Sequence, residues 1–342
     1  MIRITSVGMI IILASAAAAS AKDWISYDGQ EGPGKGKHIV LVAGDEEYRS
    51  EEGLPMLAKI LSERHGFKTT VLFSVNEEGV IDPTNQASLS GAELLDSADA
   101  IVILLRFRNW PDEQMKHFDA AFKRGVPVIG LRTSTHAFQY RNDRDTDFQS
   151  YNRFGKQVLG EDWVSHWGGH KREATLGIVE PGAENDPILR GVDEVFGDSD
   201  VYEAYPPADA KILLRGEVLS GMKPSDPPAK YVKKRRSDGK QQDVNGPPMP
   251  VAWTRLHQQD SGTKNKIFCT TLGAATDLQS EGLRRMILNS IFWGLDMEVP
   301  AKADVTYVDD FDPTMYGFGN YRRGILPADH AVGKVLPAGQ EK

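Results

Sequence analysis

The sequence has few of the residues and motifs that support thiol chemistry, nucleotide binding or nucleic-acid binding. It has one cysteine among 342 residues, Cys269, so an internal disulfide is excluded. Cys269 lies in the run Ile-Phe-Cys-Thr-Thr-Leu, which predicts a buried strand residue rather than a nucleophile. No Gly-x-Gly-x-x-Gly follows the first predicted strand and no Gly-Lys-Ser/Thr loop occurs, so no cradle for nucleotide phosphates is expected. The formal net charge of -8 argues against a nucleic-acid partner, and the one basic cluster, Lys233–Arg236, is predicted to be a solvated loop.

Long apolar runs are also scarce, and the clearest one is at the N-terminus. Arg3 precedes a mostly apolar run over 4–18, which is shorter than the roughly 20 residues that span a bilayer. Ala19-Ser20-Ala21 then fits the small-x-small pattern of a cleavage site. We predict that residues 1–21 are a cleavable signal peptide and that the mature protein is periplasmic or extracellular, without membrane association. An uncleaved anchor is the alternative.

Apolar runs and amphipathic segments alternate through the first half of the chain. Strands are predicted at 38–43, 67–75, 100–105 and 126–130, and helices at 51–65, at 91–97 and between Pro111 and Gly125. This alternation is typical of an α/β domain with a doubly wound, mostly parallel sheet. We predict that this domain covers 38–298, after a leader without pattern at 22–37.

The second half predicts a less regular set of elements. Strands are expected at 175–179 and 210–219, an antiparallel hairpin at 250–256 and 266–272, and a helix at 280–295. The region 221–249 is rich in Pro, Lys and Gln, which favours an exposed insertion. Residues 299–342 show no period and predict an extended C-terminal tail that docks through aromatic side chains.

Polar side chains follow three of the predicted parallel strands, and the topology places them at one edge of the sheet. They are Asp45, Glu46, Glu47, Tyr48, Arg49, Arg106, Arg108, Arg132, Thr133, Ser134, Thr135 and His136. Such a crevice could bind a hydroxyl- or carbonyl-rich ligand or perform acid–base chemistry. The alternatives are structural ion pairs, such as Glu47 with Arg106 or Arg132, and a helix cap at Ser134 or Thr135.

A second polar cluster lies between Trp163 and His170. His166 and His170 are four residues apart, but the two glycines between them favour a loop over a helix. With His136 they could form a three-imidazole zinc site with an open position. Most histidines ligate nothing, so we assign no metal ligand and leave the cofactor undetermined. Trp163 and its neighbour Trp167 could stack on a sugar or anchor the loop.

Several runs together resemble secreted proteins of the ThuA-like (trehalose utilisation) family. They are Leu-Val-Ala-Gly-Asp-Glu-Glu-Tyr-Arg-Ser-Glu-Glu, Gly-Leu-Arg-Thr-Ser-Thr-His-Ala-Phe, Glu-Asn-Asp-Pro-Ile-Leu-Arg-Gly-Val, Pro-Val-Ala-Trp-Thr and Phe-Trp-Gly-Leu. The resemblance covers roughly 38–298 and implies the flavodoxin-like fold of class I glutamine amidotransferases.

The same resemblance limits the chemistry. Amidotransferase relatives carry a nucleophilic cysteine two residues after Gly130, where this chain has Arg132, so thiol-dependent glutamine hydrolysis is excluded. ThuA-like proteins often have a histidine where this chain has Glu46, and many have another where it has Ala274. If those histidines bind metal or substrate in relatives, part of that site is lost here.

The leading hypothesis is an exported enzyme acting on a disaccharide or a keto-sugar, as the family name implies. Hydrolase, lyase and isomerase steps all stay open. Glu47 is predicted as general acid or base with His136 as its partner. The predicted substrate-binding residues are Asp45, Arg49, Arg106, Arg132, Thr133, His170 and Glu203. The alternative is a non-catalytic carbohydrate-binding or scaffold protein on the same fold, and either protein could form a homo-oligomer.

Overall fold

The computed structural model describes residues 22–336 and contains one ten-stranded sheet with two small two-stranded sheets beside it. In chain order the strands are β1 (Trp24–Tyr27), β2 (His38–Gly44), β3 (Lys68–Phe73), β4 (Ala100–Leu105), β5 (Val128–Leu131), β6 (Ser165–His166), β7 (Thr175–Val179), β8 (Phe196–Gly197), β9 (Tyr202–Glu203), β10 (Lys211–Val218), β11 (Val232–Lys234), β12 (Gln241–Asp243), β13 (Met249–Gln258) and β14 (Lys264–Thr270). The large sheet has the order β1-β3-β2-β4-β5-β14-β13-β10-β7-β8. The predicted signal peptide lies outside the described residues.

The centre of the sheet is parallel, as the sequence predicted. β2 pairs in parallel with β3 and β4, and β5 pairs in parallel with β4 and β14. Every residue of β4 is buried, because helices cover both faces of a parallel sheet. The leader at 22–37 contains one strand that the sequence did not predict, since β1 pairs antiparallel with β3. A four-residue strand is too short for its alternation to stand out in the sequence.

In the described part of the chain three α-helices cover the sheet: α1 (Ser50–His65), α2 (Asp112–Lys123) and α3 (Glu281–Gly294). Apolar residues of α1 and α3 share one core with alternate residues of β2, while those of α2 share the core on the opposite face. Gly66 ends α1 in the left-handed conformation, and the Ser280 hydroxyl caps α3. None of the helices within 22–336 is long and apolar enough to cross a membrane.

The second half extends the sheet with antiparallel strands. β13 and β14 form the predicted hairpin, and β10 pairs with both β13 and β7. The predicted insertion at 221–249 is mostly exposed and carries the small hairpin of β11 and β12. Its basic cluster is not wholly solvated, because Lys233 donates to the carbonyl oxygens of His166 and Trp167. The described part of the tail, up to residue 336, packs without strands.

Candidate functional site

A pocket of about 200 Å³ lies where the loops after β2, β4 and β5 meet. It is lined by Glu47, Arg106, Phe107, Thr133, His136, Trp163, His166, His170, Tyr202 and Phe318. Three non-glycine residues beside it, Arg49, Phe107 and Arg132, have positive φ angles of 59°, 51° and 42°. Such backbone is strained and is found most often at functional sites, where the surrounding contacts hold it in place.

The three acidic side chains of the loop after β2 differ in role: two make structural contacts and one lines the pocket. Asp45 is fully buried and accepts hydrogen bonds from the amides of Glu47 and Tyr48 and from the Thr133 hydroxyl, so it joins two loops and does not line the pocket. Glu46 pairs with Arg106 and with the buried Arg108. The structural ion pair considered for Glu47 is therefore made by its neighbour, and the Glu47 carboxylate faces the pocket.

Glu47 instead contacts an imidazole. The Nε2 atom of His170 lies 3.3 Å from Glu47 Oε1, and its Nδ1 atom lies 3.0 Å from Asp200 Oδ1. These two carboxylates raise the pKa of His170 to about 9, mainly through the hydrogen bonds with Asp200 and Glu47. The neighbouring His166 places its Nδ1 atom 2.8 Å from the other oxygen of Asp200. One carboxylate thus orients two imidazoles at the pocket wall.

Asp200 is itself held from behind by Arg132. Neither side chain is exposed, and Arg132 Nη2 lies 2.9 Å from Asp200 Oδ1. Burial disfavours the ionised form of Asp200, but Arg132 and the two histidines outweigh burial and hold its pKa well below the usual range. The Arg132 guanidinium also lies between two rings, 3.7 Å from the centroid of Tyr202 and 4.6 Å from that of Tyr48.

The loop after β5 brings a different kind of imidazole to the pocket. Arg132–His136 forms a short 3-10 turn, and Ser134 does not cap a helix but donates to the Ile103 carbonyl oxygen over 2.9 Å. The predicted helix cap at Thr135 is also wrong, because the Thr135 hydroxyl forms a hydrogen bond with His136 Nδ1. Burial, with Arg106 and Arg132 nearby, lowers the pKa of His136 well below its ordinary value. His136 is therefore neutral at neutral pH.

Aromatic side chains form the rest of the pocket, and one comes from the C-terminal tail. Trp163 lies 5.7 Å from His136, centroid to centroid, at the pocket wall. Trp167 is buried and donates to the Val244 carbonyl oxygen, so it anchors the loop. Phe318 lies with its ring 4.9 Å from the Arg106 guanidinium. The tail is fixed next to it, since Gly317 donates to the Glu47 carbonyl oxygen over 2.8 Å.

Of the nine predicted site residues, the pocket is lined by Glu47, His136, Arg106, Thr133 and His170. Asp45 and Arg132 support it from behind. Arg49 is fully buried and bonds to the Gly317 carbonyl oxygen of the tail. Glu203 accepts from Ser165, Tyr205 and the amides of Arg236 and Ser237, which places it away from the pocket. The roles assigned to these residues stay predictions.

Sequence reasoning missed Asp200, Tyr202 and Phe318. Asp200 lies in a Gly-Asp-Ser-Asp run that reads as an ordinary turn, and nothing local distinguishes it. Phe318 lies in the Gly-Phe-Gly-Asn-Tyr run that predicted a docking tail, but its target could not be inferred.

Comparison with known proteins agrees with this architecture. The family model for ThuA, described as trehalose utilisation, matches residues 39–294. The chain belongs to the ThuA family. Its structure is similar to that of a ThuA-like protein from Parabacteroides merdae, with 15% identity, a TM-score of 0.50 and coverage of 83% of this chain and 98% of that one. No curated protein matches.

Two other solved structures are similar to most of this ThuA family member, with lower TM-scores. A ThuA-like protein from Bacteroides uniformis has 14% identity and a TM-score of 0.45, and 82% of this chain and 94% of that one are covered. The glutaminase domain of Trypanosoma brucei CTPS has 13% identity and a TM-score of 0.34, with 78% and 98% covered. The only cysteine of this chain, Cys269, is buried in β14.

Proposed function

We propose that this ThuA family protein acts on a sugar, a disaccharide or a keto-sugar derivative, and that its pocket encloses one sugar unit. The observation that supports the proposal most directly is the pocket itself, in which Glu47 and His136 line the same 200 Å³ space. Sites for drug-sized ligands measure roughly 300–1,000 Å³, so this volume fits a single ring better than a whole disaccharide. The second unit of a disaccharide would extend past Phe318 toward solvent.

The lining chemistry supports a polyhydroxylated ligand that undergoes proton transfer. Trp163 offers a ring face, while Arg106 and Thr133 offer donors for hydroxyl or carbonyl oxygens. A neutral imidazole at His136 can accept a proton from a sugar hydroxyl or from carbon next to a keto group. Glu47 is a carboxylate in the same pocket and can take the complementary role. These groups suit a hydrolase, lyase or isomerase step.

The experiment that tests this proposal follows conversion of trehalose and 3-keto-trehalose by the purified protein. We expect the wild type to convert at least one of them, and Glu47→Gln and His136→Gln each to lower the rate by about 100-fold or more, the usual contribution of one acid–base group. Glu93→Gln and His117→Gln are matched controls outside the pocket and should leave the rate unchanged. Equal rates for wild type and Glu47→Gln would refute the catalytic role of Glu47.

A second candidate, carbohydrate binding without chemistry, is favoured by one observation. The carboxylate of Glu46 is neutralised by two arginines, and that of Glu47 lies against His170. A binding protein should retain the sugar unchanged, so calorimetric binding without product formation would select it over the enzyme.

We also propose that the protein is exported, on the evidence of the N-terminal sequence alone. The N-terminus has the order of features of a signal peptide: a positive charge at Arg3, an apolar run over 4–18 and the small-x-small site at 19–21. N-terminal sequencing of the protein recovered from its native cell should begin at Lys22. Recovery of a chain that begins at Met1 would contradict cleavage.

A further inference from the structure

We propose that His166 is a further catalytic residue of the pocket, which exchanges a proton with a sugar oxygen through Nε2, and that Asp200 is its positioning residue. The inference deepens the proposed function and rests on it. His166 lies in β6, which pairs with β9 so that His166 is opposite Tyr202. Its Nδ1 atom lies 2.8 Å from Asp200 Oδ2, and its side chain lines the pocket with 36% of its surface exposed. A ligand in the pocket can therefore reach this imidazole.

Asp200 determines which nitrogen of His166 carries the fixed hydrogen. The Asp200 side chain is excluded from solvent and paired with Arg132, so it is ionised and can only accept hydrogen bonds. The Nδ1 atom that faces it must therefore carry a hydrogen. A carboxylate in this position holds an imidazole in one tautomer and one orientation, and it stabilises the imidazolium when Nε2 takes up a proton. Asp200 thus prepares Nε2 of His166 for proton transfer.

The two histidines that contact Asp200 are not equivalent. His170 is engaged at both nitrogens, with Nδ1 3.0 Å from Asp200 Oδ1 and Nε2 3.3 Å from Glu47 Oε1. The hydrogen bonds with these two carboxylates raise its pKa to about 9, so His170 is a cation at neutral pH. No residue within 22–336 forms a hydrogen bond with Nε2 of His166. Of the two imidazoles, that of His166 is the one with a nitrogen available to a substrate.

Trp163 relates His166 to the imidazole already assigned to the reaction. The Trp163 ring lies 5.6 Å from the ring of His166 and 5.7 Å from that of His136, centroid to centroid. Both imidazoles therefore lie next to the ring face that we propose for the sugar. A sugar presents several oxygens, so His166 can act on an oxygen that Glu47 and His136 do not serve.

The proposed step is a proton transfer between His166 Nε2 and one sugar oxygen. When Nε2 takes the proton of a hydroxyl, an N–H bond forms as the O–H bond breaks, and the bonding pair stays on the oxygen. In the reverse direction the imidazolium gives this proton to an oxygen that gains electrons. The Nδ1–H bond stays intact and Asp200 stays ionised in both directions, so no further reactant is needed.

The test measures conversion of trehalose and 3-keto-trehalose by the full chain. We expect His166→Gln to lower kcat by about 100-fold or more while KM changes less than roughly threefold, because a proton transfer acts mainly in the transition state. Free imidazole should restore part of the rate of His166→Gly, which a purely structural role would not allow. His117→Gln is the matched control, since Nδ1 of His117 lies 2.9 Å from Asp96 Oδ1 but His117 does not line the pocket. An unchanged kcat in His166→Gln would overturn the inference.

NMR of the histidine ring nitrogens in the wild type, without sugar, keeps the test decisive if the variants do not fold. We expect Nδ1 of His166 to carry a hydrogen, and a tautomer with the hydrogen on Nε2 alone would overturn the role of Asp200. Slow conversion by Glu47→Gln together with a normal rate for His166→Gln would refute this inference and leave the proposed function intact. Failure of the wild type to convert either sugar would refute the proposed function, and this inference with it.

Discussion

Arg132 and Asp200 form an ion pair from which solvent is fully excluded, with Nη2 and Oδ1 2.9 Å apart. Arg132 also donates to the carbonyl oxygens of Asp200 and Thr271, at 2.6 and 2.7 Å. The pair thus joins the end of β5, the loop before β9 and the end of β14. Because Asp200 accepts hydrogen bonds from His166 and His170, this buried contact helps to set the position of both imidazoles in the pocket.

Arg132→Gln should therefore destabilise the fold. Removing one partner of a buried pair leaves the other charge uncompensated and costs about 3–5 kcal/mol. Arg141→Gln is the control, since Arg141 makes an exposed pair with Asp143 and its loss should have no measurable effect. Denaturant unfolding of the two variants measures the difference. Equal midpoints for both variants would contradict the importance of the buried pair.

His330 should make the protein sensitive to acid. It is 4% exposed and stacks on Phe73, while Lys59, paired with Asp309, and Arg322 face it, and burial first and then these cations lower its pKa to about 3. An unfolded histidine titrates near 6.5, so below that pH the unfolded state binds a proton that the folded state does not. Stability is lost as the pH falls from 6.5 toward 3, by about 2 kcal/mol at pH 5.

His330→Phe keeps the ring stack and removes the titration. Its free energy of unfolding should fall less than that of the wild type between pH 7 and pH 5, whereas His117→Gln should follow the wild type. Parallel curves for His330→Phe and wild type would show that His330 is not the source of the acid sensitivity.

Glu51 should destabilise the fold at alkaline pH. It is buried in the first turn of α1, and burial raises its pKa to about 8 against the weaker opposing effect of Arg49. Between about pH 4.5 and 8 the folded state keeps a proton that the unfolded state has lost, so stability falls as the pH rises. Glu51→Gln should match the wild type near pH 4.5 and exceed it at pH 8 by on the order of a few kcal/mol.

Unfolding curves at both pH values check this expectation. Glu93→Gln is the control because Glu93 is exposed. A Glu51→Gln variant with the same pH dependence as the wild type would show that Glu51 is ionised in the fold.

Phe318 should affect substrate affinity more than turnover. It is 58% exposed, lines the pocket and stacks on Arg106. Phe318 holds in place the Arg106 guanidinium, which is predicted to bind substrate oxygens. An exposed cation–π contact contributes about 0.5–1 kcal/mol, so its loss in Phe318→Ala should raise KM roughly two- to fivefold with kcat little changed. Met315→Ala, in the same tail but outside the pocket lining, should leave both constants unchanged. A fall in kcat without a change in KM would place Phe318 in the chemical step instead.

The order of strands and helices could be read from the sequence because it depends on local periodicity. Residues 39–43 and 100–105 are apolar throughout, and the structure contains strands at His38–Gly44 and Ala100–Leu105. The sequence also predicted that the loops after β2, β4 and β5 meet, since the loops that follow parallel strands lie at one edge of the sheet. The short β1 was missed because four residues carry too little pattern.

The sequence by itself determined the α/β succession, the lack of a thiol at the strand end after Gly130 and the edge at which polar side chains collect. These properties depend on residue identity and on periods of a few residues. Only the tertiary structure decided that Arg132 turns inward to Asp200 while Glu47 faces the pocket, and that Phe318 reaches it from the tail. Those choices depend on left-handed backbone at single positions and on partners 68 and more residues away, which no local pattern encodes.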